Sequence, residues 1–130
     1  MLIGTEEQNR LTGTIIGSAI KVHTRLGPGL LEHSYLRCLR HELERAGLKV
    51  EKEVFLDLRY EDLVVERAYR LDLLVEDSVV VEIKAVEKVM PVHHSQVLTY
   101  LKLTGKPIGL LLNFNVTKLP DGIKRFRRDM

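Results

Sequence analysis

The run VVVEIKA, residues 79–85, sets the tightest limit on what this chain can fold into. In a strand, side chains two apart share a face, so Val80, Glu82 and Lys84 lie on one side and Val79, Val81, Ile83 and Ala85 on the other. Valine on both faces of the first half marks a strand covered on both sides, which calls for a sheet with one layer above it and one below. Glu82 and Lys84 enter that strand aligned on a single face. Burying an unpaired charge there costs several kcal/mol, on the order of breaking a buried ion pair, so these charges need a partner or a task.

The flanking sequence supplies the covering layers. From about Glu6 to Leu26, Leu11, Ile15, Ala19, Val22 and Leu26 recur at three- and four-residue spacing, the stripe of an amphipathic helix, which Gly13 and Gly17 weaken. LGPG (26–29) ends it, because Gly accepts a left-handed cap and Pro28 cannot continue the helix. A second helix is expected from Leu30 to Ala46, capped by Gly47, with Leu36, Leu39 and Leu43 inward. One turn back along that stripe stands Glu32, aimed toward the protein with Tyr35 beside it. Its plainer reading is an acid that complements the helix dipole.

Strands are expected at Leu48–Tyr60, Val64–Val75 and Val79–Val86, joined by the turn-like clusters EDL and EDS into antiparallel hairpins. Strict alternation in the second strand puts Glu66, Ala68, Arg70, Asp72 and Leu74 on one face and Val65, Tyr69, Leu71, Leu73 and Val75 on the other. Pro91 suits the entry to a third helix, Val92–Thr104, ended by Gly105. On it Gln96, Tyr100 and Leu103 share a side, with His93 three residues before Gln96. A strand Ile108–Phe114, a turn containing PDG and a basic strand IKRFRR complete the order ααβββαββ, an α/β sandwich on a mixed sheet.

With 130 residues and no repeat, low-complexity tract or linker, the whole of 1–130 is expected to form a single domain. Twenty Lys and Arg against 18 Asp and Glu leave +2, too little to name a polyanionic partner from net charge alone. The lone Cys38 excludes an internal disulfide and a zinc knuckle and suits a reducing cytoplasm, where it reads as an ordinary packed residue. The first ten residues carry two glutamates and no long apolar core, so no secretory signal is expected. No stretch reaches the roughly 20 apolar residues of a membrane span.

An Asp on one strand and a Glu on its hairpin partner can converge on a cation that offsets their repulsion. Hard ions such as Mg2+ take oxygen ligands and keep several waters, so Asp72, Glu82, the Ile83 carbonyl and water make a suitable shell. Lys84 would reach past that shell toward a phosphate or the attacking water. The competing reading is a cross-strand salt bridge of Lys84 with Asp72 or Glu82. Against it stand the further polar residues Glu32 and Gln96 on otherwise apolar faces of other elements.

These residues resemble a known family. YRLDLLVEDSVVVEIKA (69–85) has the D-(x)n-E-x-K form of the PD-(D/E)XK nuclease superfamily, GLLEHSY (29–35) resembles the signature of its GxxExxY family, and QVLTY (96–100) is similar to its Q-x-x-x-Y element. The resemblance runs from about Leu11 to Arg127, with Leu71 where the pattern has proline. It implies a restriction-endonuclease-like core, Asp72 and Glu82 as ligands of Mg2+ or Mn2+, and Lys84 as the catalytic lysine. Glu32 would join the metal shell directly or through water, and Gln96 and Tyr100 would line the site or touch substrate. His93 would bond a phosphate or an acidic ligand, or else serve structure alone.

The implied reaction is metal-dependent hydrolysis of phosphodiesters by water, with no covalent enzyme intermediate and with DNA favoured over RNA by family analogy. Arg37, Arg40 and Arg45 of the second helix and Lys124, Arg125, Arg127 and Arg128 of the tail are candidate phosphate contacts or simply solvated surface. The alternatives are a non-cleaving module that binds nucleic acid or protein on the same fold, and a homo-oligomer whose partner completes the groove.

Overall fold

The computed structural model describes residues 5–128, so the first four of the ten residues read for a secretory signal lie outside the described ones. Thr5 starts α1 (Glu6–Leu26) by a reciprocal cap: its hydroxyl accepts from the Gln8 amide at 3.1 Å, and its own amide donates to the Gln8 side chain at 3.0 Å. Gly27, at φ 68°, ends the helix in a conformation that favours glycine. α2 (Glu32–Arg45) follows the short link GPGLL. Tyr35 pins that link, because its hydroxyl donates to the Gly27 carbonyl and accepts from the Leu30 amide while its ring stacks on Phe114 at 4.6 Å.

β1 (Val50–Tyr60), β2 (Leu63–Val75) and β3 (Val79–Lys84) form the expected antiparallel meander. α3 (Pro91–Thr104) crosses over to β4 (Ile108–Asn113), parallel to β3, and a 3-10 turn at Leu119–Gly122 leads to the antiparallel edge strand β5 (Ile123–Arg127). The sheet order is β1-β2-β3-β4-β5. Ile15, Ala19, Tyr35 and Leu39 of α1 and α2 pack on one face against Leu73, Val81 and Leu110. Val97 and Leu101 of α3 pack on the other face against Leu74, Val80 and Leu111. Val79, Val80 and Val81 are all buried, so the double covering demanded by VVVEIKA is met. Gly109 lets α3 lie close: a Cβ there would stand 2.6 Å from Val97 Cγ1.

The strict alternation expected along β2 does not hold. Tyr69 and Leu71 join the α3 core, whereas Leu73 and Val75 join the α1–α2 core. β1 changes face at the same level, with Val50 in one core and Val54 in the other. Between them Glu53 sits at φ 51°, and the pair it would make with Asp72 is missing from the ladder between Lys52–Leu73 and Val54–Leu71. A left-handed residue rotates the strand locally, so the side chains beyond it swap faces.

One charge assignment also changes. Arg125 does not project as a phosphate contact: its guanidinium donates to Asn9 at 2.8 Å and Thr12 at 3.2 Å, tying β5 to α1. Arg40 and Arg45 lie within 3.6 Å of Glu44 and 3.9 Å of Glu42, while Cys38 is the partly buried residue expected. Among the described residues no helix is long and apolar enough to cross a membrane.

Candidate active site

β2 and β3 part at the acids. Their ladder runs from Val75–Val79 to Leu73–Val81 and stops, although the next positions in register would be Asp72 opposite Glu82. Two side-chain bonds take over at the fork: the Asp72 amide donates to Glu82 Oε1 at 2.9 Å, and the Ile83 amide donates to Asp72 Oδ2 at 2.8 Å. Each carboxylate therefore uses one oxygen to hold the opposite backbone, and the two side chains also hydrogen-bond each other, with Glu82 the protonated partner. In an extended residue N–H and C=O point to the same side, so the Ile83 carbonyl faces the same opening as its amide.

Burial and mutual repulsion govern the charges. Glu82 is 5 % exposed, and burial, followed by the Asp72 charge, pushes its carboxyl up to about 8, against the opposing pull of the Asp72 amide and Lys84. Asp72 is raised as well, chiefly by burial, with Glu32 adding to the rise and the Ile83 amide, Glu82 and Lys84 opposing it. At neutral pH the pair does not carry two full charges. Burial and then the charges of Glu82 and Asp72 raise the Tyr100 hydroxyl to about 12, so it stays a protonated donor beside them. Its ring meets Tyr69 edge-on at 5.9 Å.

Lys84 is half-buried and follows Glu82 on the strand. Among the described residues it forms no ion pair, so the salt bridge considered above is not made, although its charge is felt by both acids. The segment after it is fastened by Asn113, whose side chain accepts from the Val86 amide at 3.1 Å and donates to the Val86 carbonyl at 2.9 Å. The Phe114 amide adds a bond to the Lys84 carbonyl at 2.9 Å. Sequence reasoning passed over Asn113; its signal was a lone amide ending the aliphatic run IGLLLN.

The remaining candidates are less closely gathered. Glu32 is exposed at the first turn of α2 rather than turned inward, yet its charge reaches Asp72. Gln96 is exposed one turn before Tyr100 and makes no hydrogen bond among the described residues. His93 caps α3, its Nδ1 accepting from the Met90 amide at 2.9 Å. Among the described residues no three His, Cys, Asp or Glu side chains form a ready metal cluster. The fit to a hard cation therefore rests on two adjoining carboxyl groups, which is how Mg2+ is often held, with water filling the other positions.

A mixed sheet between helical layers, forked at two buried acids with an unpaired lysine beside them, defines a nuclease-like α/β domain. The chain matches the model of the PD-(D/E)XK nuclease superfamily over residues 9–126, and it belongs to that superfamily. Members of that superfamily typically use divalent metal ions. Neither the curated proteins nor the solved structures yield a match.

Proposed function

We propose that this chain is a Mg2+- or Mn2+-dependent nuclease of the GxxExxY type, a single domain that hydrolyses phosphodiester bonds of DNA in the cytoplasm. The observation that carries this reading is the fork: the acids replace ladder bonds at the one place where β3 brings an unpaired lysine alongside them. A structural ion pair would leave Lys84 bonded and the ladder closed.

Asp72 and Glu82 would hold the ion through their carboxylate oxygens, in place of the proton they share, with the Ile83 carbonyl beside them and Glu32 acting through water from the α2 terminus. Such an ion supplies a Lewis acid for a phosphoryl oxygen and lowers the pKa of bound water. Lys84 places its ammonium where negative charge grows on the phosphate, and the Tyr100 hydroxyl, protonated at working pH, donates to whatever anion enters. Gln96, exposed one turn before Tyr100 on α3, is free to touch substrate.

Purified protein incubated with single- and double-stranded DNA and RNA, with Mn2+ or with chelator, tests the activity. Cleavage of DNA that chelator abolishes is the expected result. Binding without cleavage on every substrate would assign the fold to the non-cleaving module instead.

A further inference from the structure

Beyond Leu73 the β1–β2 hairpin loses β3 as a neighbour and continues as a two-stranded arm, with a register shift between Leu56 and Leu58. A lone hairpin is marginal in water. This one also exposes large apolar residues near its tip, Tyr60 at 65 % and Leu63 at 57 %, with Val64 and Val65 beside them. Between residues 57 and 66 stand four acids, Asp57, Glu61, Asp62 and Glu66, against the single base Arg59. An acidic tip repels phosphates, so a nucleic-acid groove is a poor occupant for it.

The opposite character appears between α1 and α2. A recess of about 490 Å³ is lined by Val22, Leu26 and Cys38 and edged by Arg25 and Arg37. Its acid, Glu42, is already engaged by Lys21 at 3.1 Å and Arg45 at 3.9 Å. Arg25 and Arg37 form no ion pair among the described residues. The recess thus offers apolar walls under a positive rim, where the arm offers apolar side chains under a negative one.

We propose that the arm tip docks into the α1–α2 recess of a second copy of this chain. In a two-fold dimer each copy gives one tip and one recess, so the contact occurs twice and closes. Burial of Tyr60 and Leu63 supplies the association energy, and the charges set which surfaces meet.

Sedimentation velocity on the full chain across the micromolar range tests this. The native protein should dimerise more weakly as salt rises, and the double variants Glu61→Lys with Asp62→Lys and Arg25→Glu with Arg37→Glu should each dissociate at about tenfold or more higher concentration. Mixing the two reversed variants should restore association, because both tip–recess contacts become complementary again. A native chain that is monomeric throughout overturns the proposal. So does a dimer indifferent to both reversals, or a failure of the mixture when each variant melts as cooperatively as the native chain. A monomer whose tip variants change DNA affinity would give the arm to nucleic acid instead.

Discussion

Lys84→Met is expected to slow single-turnover cleavage by roughly 10²-fold or more, comparable to removing one charge-stabilising donor, while affinity for DNA in Ca2+ changes by much less. Met keeps the long apolar stem, so the half-buried position stays filled and only the ammonium is lost. A group that stabilises charge developing in the transition state affects the chemical step more than ground-state binding. Arg is a poor control, since its planar fork does not replace a compact ammonium. Cleavage undiminished in the Met variant would remove Lys84 from the mechanism. Loss of binding in step with cleavage would make it a docking residue.

The second large effect is on stability and follows from Glu82, raised to about 8 in the folded chain from an ordinary value of 4.5. Between those two values the folded state keeps a proton that the unfolded state has released. The contribution of Glu82 to the stability of the metal-free protein therefore falls as pH rises from about 4.5 to about 8 and levels off above, contrary to the usual behaviour of a carboxylate. Glu82→Gln carries no charge to bury and retains an oxygen to accept the Asp72 amide. In chelator at pH 9 it should be more stable than the native chain by on the order of 3 kcal/mol, several degrees in Tm. That advantage should shrink through the same window and vanish near pH 4. Because the carboxylates outside the pair are common to both proteins, the difference between the two melting curves isolates the Asp72–Glu82 pair. A difference that does not change with pH would contradict the burial argument.

Much of this architecture was legible because its causes are local. Valines on both faces of residues 79–81 could only mean a covered strand, and EDL and EDS marked the hairpins that put Asp72 across from Glu82. The face change at Asp72 was not legible, since it depends on Glu53 adopting φ 51° in another strand and on two carboxylates drawing backbone amides out of the ladder. Period-two reasoning carries no information about such a break. Glu32 was legible only in part: α2 begins at Glu32 itself and the inward stripe is completed by Tyr35, buried against Phe114, while the exposed Glu32 carboxylate bears on the site through its charge on Asp72. Arg125 read as a surface base because the residues it grips, Asn9 and Thr12, lie more than a hundred positions away in sequence.

The central claim is that Asp72 and Glu82 together hold one divalent ion, and calorimetric titration of the chelator-stripped protein with Mn2+ tests it most directly. The account predicts binding of one ion per chain, with net proton release at pH 7 as Glu82 gives up the proton that burial preserved. The double variant Asp72→Asn with Glu82→Gln should show neither the heat of binding nor the accompanying rise in Tm. No ion-dependent heat or melting shift in the native chain, or the same response in the double variant, would contradict the account.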